Sequence, residues 1–398
     1  MAVIPLSEPV RRPATPPRGF ALLALGFRPF YLLAASLALL LVPLWVLMLG
    51  GQIPQPTTLP GLLWHGHEMI FGFAAAVIVG FLLTAGQTWS GLSTPSGRPL
   101  AALVALWLAG RLGLLMAPPL LGALLDLAFL PVAGVMLGRV LIRARSRRNY
   151  FALVILAALA LSNLLMHGAQ QGWFALSPLL GLHLAVAIIA VLCTVIAGRI
   201  VPSFTANALG TKPWRNARVD QASIVLTAAA LLAWACALPA ALTGALAAPA
   251  AVLQALRCQG WRPWATRRTP LLWILHLSHG WLIVALAWLA LASFDLTPAP
   301  SLLHLITVGT ISGLIIAMIT RTALGHTGRA LKAGALETAC YALMQLALLA
   351  RVLPPLIDSR WYLPGLQLSA IAWALCFALY LWRYAPILWH PRVDGRAG

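Results

Sequence analysis

This 398-residue chain has nine histidines and eight carboxylates, and they are its main candidates for acid–base chemistry or metal binding, because the remaining residues are largely apolar. Most of the histidines lie within long apolar runs or at their ends. An ionisable side chain inside a membrane-spanning segment is costly unless it is paired or bound. Neutral imidazole is a common ligand for haem iron, copper and zinc. The histidines are therefore the first candidates for a functional site.

The second apolar run opens with the segment Trp64-His65-Gly66-His67-Glu68-Met69. In a regular helix His65 and His67 point about 200° apart, so they cannot ligate one metal ion from one face. The spacing predicts that His65 shares a face with Glu68 and that His67 shares the other with Phe71. Interfacial anchoring is one explanation of such residues. The combination of two histidines and a glutamate at the mouth of a span favours metal or haem ligands.

The ninth apolar run contains His276 and His279, which share a helix face at i,i+3. At 1.5 Å per residue they lie about 9 and 14 Å from the cytoplasmic start of the run, which makes them the deepest histidines. Nothing nearby in the sequence offers a carboxylate partner. Either a metal or haem holds at least one of them, which we favour, or both are hydrogen-bonded core residues.

Further histidines cluster at one predicted depth near the periplasmic face. His167 ends the fifth run on the same face as Asn163, and His183 and His304 begin the sixth and tenth runs. Together with His65 and His67, these residues place five imidazoles from four helices at a similar level. Each of them alone is explained as a polar end-residue, whereas five at one depth are harder to explain in that way. The sequence leaves open which of them converge in space.

Two arginine-containing motifs follow the sixth and tenth runs, at residues 198–207 and 321–329. We expect both to be cytoplasmic loops in which Arg199, Arg321 and His326 could bind an anion or a haem propionate, because arginine pairs well with carboxylates. The alternative is a stop-transfer charge followed by a turn. Glu337 could pair with Arg321 or with Arg329.

The elements that must position these residues are membrane-spanning helices. The chain is 61% hydrophobic and only 9% charged, with a mean hydropathy of +0.90, whereas soluble domains carry about 25% charged residues. We predict an all-α polytopic bundle of about twelve spans, each long enough to cross a bilayer. The predicted spans are 21–49, 64–87, 99–117, 120–142, 150–171, 178–199, 221–243, 244–258, 270–293, 301–320, 332–353 and 361–384.

The net charge of +19 reflects topology in this interpretation and not nucleic-acid binding, because the basic residues lie in short clusters between apolar runs. With a cytoplasmic amino terminus, 24 of the 27 Lys and Arg residues fall on the cytoplasmic side. The exceptions are Arg111, Arg351 and Arg360. The positive-inside rule therefore predicts a multi-pass protein of the bacterial inner membrane with both termini in the cytoplasm.

This topology gives a simple domain organisation. Residues 1–20, with Arg11, Arg12 and Arg18, form a cytoplasmic segment, residues 21–390 form one transmembrane domain, and residues 391–398 form a cytoplasmic tail. The loops are too short to hold a soluble catalytic domain. Function must therefore lie among the helices.

Several of these residues resemble the NnrS family, and the resemblance runs from residue 26 to residue 329. The matching pieces are Gly26-Phe27-Arg28-Pro29-Phe30, Trp64-His65-Gly66-His67-Glu68-Met69 with Gly72-Phe73, Gly80-Phe81-Leu82-Leu83-Thr84-Ala85, Gly198-Arg199 with Pro202, Phe204, Thr205 and Asn207, Leu275-His276 with Trp281, and His304 with Gly309, Met318, Arg321 and Gly325-His326-Thr327-Gly328-Arg329.

The resemblance implies a twelve-span membrane protein that contains haem and copper and takes part in nitric oxide metabolism and protection from nitrosative stress, often beside denitrification genes. It implies ligand roles for His65, His67, His276 and His304, and for His326. His167, His183 and His279 are candidates from the residues alone. Membrane lipid and nitric oxide are the expected partners, with the electron donor open.

Two other functions remain open at this point. One is an oxidoreductase akin to the haem-copper oxidases, although those enzymes use an adjacent His-His pair and this chain offers only His276 and His279 at i,i+3. The other is a solute or metal transporter that uses intramembrane histidines as relay groups.

Overall fold

The computed structural model describes residues 19–56, 58–298 and 300–396, and over these residues it contains helices and no β-strand. An all-α polytopic bundle is therefore confirmed. The predicted cytoplasmic charges Arg11, Arg12 and Arg18 lie outside the described residues.

Twelve long helices in the described part of the chain correspond one to one with the predicted spans. They are α1 Phe27–Leu49, α2 Gly61–Ser90, α3 Gly97–Met116, α4 Pro119–Arg143, α5 Phe151–Gln170, α6 Pro178–Leu209, α7 Ala217–Ala235, α8 Ala240–Gly260, α9 Pro270–Ala292, α10 Ser301–His326, α11 Ala335–Val352 and α12 Tyr362–Trp389.

Eleven of these helices are long and apolar enough to cross a membrane, counted over the described residues, and α7 is not among them. The first turns of α7 contain Arg218 and Asp220, which shorten its apolar part. The eighth predicted span, only 15 residues by sequence, is a 21-residue helix. Pro249 inside it does not end the helix, although it removes one backbone hydrogen bond.

Two helices extend beyond their predicted ends, so the expectation of cytoplasmic loops at 198–207 and 321–329 was largely wrong. Helix α6 continues to Leu209 and α10 to His326. The guanidinium of Arg199 lies over the ring of Phe151, and that of Arg321 lies 3.8 Å from the ring centroid of Phe204. Aromatic faces accept cations in this way, so an arginine does not force the helix to stop.

Helices α2 and α10 form the centre of the bundle. The most apolar window of α2 is 83% buried and that of α10 is 72% buried, above every other candidate span. Helix α1 packs between α2 and α12, while α3 with α4 and α5 with α6 form neighbouring pairs. Helices α7, α8 and α9 pack in sequence on the other side of α6.

Glycines allow the close approach of these central helices. A Cβ at Gly80 would lie 2.8 Å from Cβ of Phe30 in α1, and one at Gly309 would lie 2.9 Å from Trp281 in α9. A Cβ at Gly313 would collide with Ser278 of the same helix α9. These glycines of α2 and α10 therefore belong to helix-packing surfaces.

Each central helix contains a π-helical segment, Glu68–Ala74 in α2 and Leu305–Ser312 in α10. Such segments widen the turn and redirect side chains, and they are frequent at functional sites. The carbonyl oxygen of Gly72 accepts a hydrogen bond from Nε1 of Trp107 in α3 at 3.1 Å. This bond ties the widened turn of α2 to the neighbouring helix.

The orientation of the bundle remains a prediction from the loop charges. Fusion of green fluorescent protein to the carboxyl terminus should give fluorescent cells, because that protein folds in the cytoplasm. Fusion of alkaline phosphatase at Trp173, between α5 and α6, should give an enzyme active in the periplasm. Reversed activities in the two fusions would contradict the predicted orientation.

Candidate metal centre

Six buried polar side chains from α2, α3, α4 and α5 form one network, which we name the α2–α5 cluster. None of them is more than 7% exposed. Its members are His67, Glu68, Arg111, Asp126, Asn163 and His167. The surrounding helices are apolar, so the network must satisfy its own charges and hydrogen bonds.

Asp126 lies at the centre of the α2–α5 cluster. Its Oδ2 atom is 3.0 Å from Nε2 of His67 and 3.1 Å from Nε2 of His167. The same atom accepts a hydrogen bond from Nδ2 of Asn163 at 2.7 Å, and Oδ1 forms an ion pair with Arg111. One carboxylate therefore joins three other helices to α4.

His67 is held at both ring nitrogens. Its Nδ1 atom lies 3.1 Å from Oε1 of Glu68, while Nε2 faces Asp126 and also Oδ1 of Asn163 at 3.2 Å. The π-helical segment of α2 begins at Glu68, directly after His67.

Close packing of α3 against α4 brings Arg111 to its two carboxylates. A Cβ at Gly110 would lie 3.1 Å from Cα of Asp126, and one at Gly122 would lie 2.7 Å from the carbonyl oxygen of Gly113. With no side chains at these points, Nη1 of Arg111 lies 3.4 Å from Oε1 of Glu68. Arg111 is therefore a structural cation inside the bundle and not a periplasmic loop charge.

The charges of the cluster allow two protonation states. With neutral imidazoles, one arginine faces two carboxylates, which leaves a buried net charge of −1. If His67 is an imidazolium, both its nitrogens donate to oxygens and the cluster is neutral. If a metal ion occupies Nε2, the Nδ1–H of His67 donates to Glu68, the usual arrangement of a metal-bound histidine.

The donor atoms also fit a metal ion by distance. Ligand atoms from His67, Asp126 and His167 all lie within 4.8 Å of one another, and the three residues are buried. Nitrogen and oxygen ligands bind a transition metal at about 2.0–2.2 Å, so neighbouring donors should be roughly 3 Å apart. The two measured separations from Asp126 to the imidazoles meet this requirement.

Two of the five histidines predicted at one depth meet, and two others pack on tryptophans elsewhere. The rings of His67 and His167 have centroids 5.0 Å apart. His65 stacks on Trp45 at 4.1 Å, and His183 packs against Trp234 at 4.7 Å. His304 lies immediately before the π-helical segment of α10.

His276 and His279 have hydrogen-bond partners that the local sequence does not reveal. Nε2 of His276 lies 3.0 Å from Oγ1 of Thr205 in α6, and Nε2 of His279 lies 3.1 Å from Oε1 of Gln254 in α8. The Nδ1 atoms of both histidines are buried without a partner. Trp261 packs against the two rings, with centroids 4.8 Å from His279 and 6.3 Å from His276.

The remaining predicted residues lie at the other end of the bundle. His326 packs against Phe27, with ring centroids 5.5 Å apart. Glu337 was expected to pair with Arg321 or Arg329. Instead it accepts hydrogen bonds from Tyr384 and from the backbone of Gly334, and it lies 3.8 Å from Arg383.

Asp126 was not among the residues predicted for the site, and Arg111 was predicted to be a charge on the periplasmic side. A signal for both existed, because a lone aspartate and a lone arginine interrupt two consecutive apolar helices. Helices joined by a short connection pack antiparallel, so such a pair can meet inside the membrane. The i,i+4 pair Asn163 and His167, which the sequence did identify, is the contribution of α5 to the cluster.

The comparison with protein families finds one match over nearly the whole chain. The family model described as NnrS protein matches residues 21–392. A search of curated proteins finds no match.

The ion pair between Arg111 and Asp126 should be strongly coupled. Asp126→Ala leaves a buried arginine with less compensation and should lower the free energy of unfolding by about 3–5 kcal/mol. The double variant Asp126→Ala with Arg111→Ala should lose much less free energy of unfolding than the sum of the two single losses, as measured by unfolding in detergent. The matched control is the exposed pair Arg360 and Asp358, whose removal should cost no more than about 1 kcal/mol. Additive losses at Arg111 and Asp126 would contradict the pairing.

Proposed function

Starting from the fact that the chain belongs to the NnrS family, we propose that it is a metal-binding membrane protein of the nitric oxide response, with its metal ion held by His67, Asp126 and His167. The observation that supports this most strongly is the convergence of two imidazole nitrogens on one carboxylate oxygen, at 3.0 and 3.1 Å, inside an apolar bundle. Family membership and this donor set point to the same class of protein.

Copper is the metal that we assign to this site. Two imidazoles and a carboxylate suit copper, iron and zinc, and copper binds such donors most tightly among the common divalent ions. Without a metal and with neutral imidazoles the cluster has a net charge of −1. A cation would therefore offset a buried charge that is otherwise expensive.

The other residues of the cluster hold the ligands in place. With a metal ion bound at Nε2 of His67, the Nδ1–H of that ring would donate to Glu68, which lies 3.1 Å away. Asn163 donates to Asp126 and fixes the rotation of the carboxylate. Arg111 offsets one of the two negative charges of Glu68 and Asp126, and a bound cation would offset the other.

A bound ion would supply a coordination position at which nitric oxide could bind. Nitric oxide is apolar and dissolves in the bilayer, so a site among the helices is open to it without a water-filled entrance. The residues around the site are apolar and exclude water, which favours ligand binding over hydrolysis. Turnover of nitric oxide would need an electron donor, and we assign the protein the role of binding.

Haem is the second cofactor that we propose, with His276 and His279 of α9 as its candidate ligands. Hydrogen bonds at Nε2 fix the tautomer of each ring and leave the Nδ1 lone pair available. Both Nδ1 atoms are buried without a partner, which fits a ligand role. The apolar cavity that borders Leu275 measures only about 90 Å³, so it does not by itself hold a macrocycle. The roles of Arg199 and Arg321 in binding the propionates of a haem remain predictions.

Metal content tests the site at the α2–α5 cluster. Protein purified in detergent and reconstituted with copper should bind about one ion per chain in this cluster. His167→Ala and Asp126→Ala should each lower the affinity at least tenfold, and Glu68→Gln should lower it about 10–100-fold by loss of the outer hydrogen bond. Elemental analysis with equilibrium dialysis measures both effects.

The matched control for metal binding is His183→Ala, which removes a half-buried histidine that packs on Trp234 instead of Asp126. This variant should bind copper like the parent protein. An equal loss in the His183 and His167 variants, or no copper in the reconstituted parent, would reject the site.

A visible absorption spectrum tests the haem proposal separately. The purified protein should show a Soret band, and His276→Ala should reduce it by more than half relative to protein concentration. Copper content should stay unchanged in that variant, because α9 does not contribute to the α2–α5 cluster. A colourless preparation that is fully loaded with copper would remove haem and leave the metal site standing.

A further inference from the structure

A basic groove lies at the end of the bundle where α12 finishes and the connection from α10 to α11 passes, and we name it the α11–α12 groove. Its volume is about 460 Å³. It combines cationic side chains with an apolar lining, and its residues are Arg329, Leu336, Trp382, Arg383, Pro386, Ile387 and His390.

The two arginines of the groove are incompletely neutralised. Nη1 of Arg329 is buried and has no hydrogen-bond partner. Burial, together with the nearby charge of Arg383, lowers the pKa of the Arg329 guanidinium below its ordinary value.

Among the described residues, the ion pair of Glu337 is with Arg383 and not with Arg329. Glu337 lies 3.8 Å from Nε of Arg383, but its Oε2 accepts from the backbone of Gly334 at 2.8 Å and its Oε1 accepts from Tyr384 at 3.0 Å. Its hydrogen bonds thus cap α11 and fix α12. The groove therefore keeps an excess positive charge where an anion would be stabilised.

The apolar lining and the position of the groove identify the kind of anion. Trp382 is 76% exposed on the surface of α12, and Trp389 is 44% exposed two turns further along. Exposed tryptophans beside arginines and histidines are typical of the level of lipid headgroups. Leu336, Pro386 and Ile387 add apolar surface within the same groove. An occupant with one anionic group and one apolar part matches both features.

We propose that the α11–α12 groove binds an anionic phospholipid, with its phosphate between Arg329 and Arg383 and its glycerol and upper acyl chain against Trp382 and Ile387. Basic pockets between transmembrane helices bind anionic headgroups in this manner. Arginine offers a planar pair of donors that matches phosphate oxygens. The lipid would join the α10–α11 connection to the end of α12, and the site is independent of the α2–α5 cluster.

Native mass spectrometry of the full chain in detergent tests the proposal. After addition of equal amounts of phosphatidylglycerol and phosphatidylcholine, the protein should retain phosphatidylglycerol at least fivefold more. Arg329→Gln combined with Arg383→Gln should abolish this preference. The control combines Arg267→Gln with Arg268→Gln, which removes the same charge from an exposed loop, and it should leave the preference unchanged.

Two further measurements distinguish a lipid from a free anion and from a folding defect. Inorganic phosphate at 10-fold excess over the lipid should not displace phosphatidylglycerol; full displacement would show an anion site without lipid selectivity and overturn the proposal.

Glu337→Gln, which keeps hydrogen-bonding capacity and removes one negative charge, should increase retention of the anionic lipid. Equal retention of both lipids by the parent protein, or loss of preference in the control, would also overturn it. If the double variant does not fold, the single variant Arg383→Gln takes its place in the same measurement. This substitution should be tolerated because the side chain is 55% exposed, and it should lower the preference for phosphatidylglycerol.

Discussion

A carboxylate buried among apolar helices must be balanced by a cation, and Asp126 imposes this requirement on four of the twelve long helices. Arg111 reaches it from α3, His67 from α2, and Asn163 and His167 from α5. Removal of water strengthens each of these contacts and raises the cost of leaving any one of them unmade. The same property that fixes four helices around one side chain also concentrates ligand atoms at one point.

Close backbone packing makes this arrangement possible. The glycines Gly110 and Gly122 let α3 approach α4 until Arg111 reaches both carboxylates. A side chain at either glycine would separate α3 from α4 and move Arg111 away from the cluster. The site thus depends on backbone geometry as much as on the ligand residues themselves.

The two ends of the bundle differ in their polar chemistry. At the end that holds the α2–α5 cluster, opposite charges are paired inside the helices. At the other end, arginines are in excess, and they stack on aromatic rings, as Arg321 does on Phe204, or line the α11–α12 groove. Between them, His276 and His279 are tied to α6 and α8 through one ring nitrogen each. This separation keeps the α2–α5 cluster apart from the arginines at the other end of the bundle.

The sequence by itself determined the fold class, the twelve helices and their approximate ends, because about 20 apolar residues in a row have few alternatives to a membrane-spanning helix. It also pointed to His67 and to the face shared by Asn163 and His167. Only the tertiary structure decided which of the nine histidines meet, since burial, π-helical turns and glycine contacts act between segments that are far apart in the chain. Asp126 and Arg111 lie 15 positions apart on different helices, and no helical periodicity connects them. Their pairing follows from the packing of α3 against α4, which is why the centre of the candidate site could not be read from spacing alone.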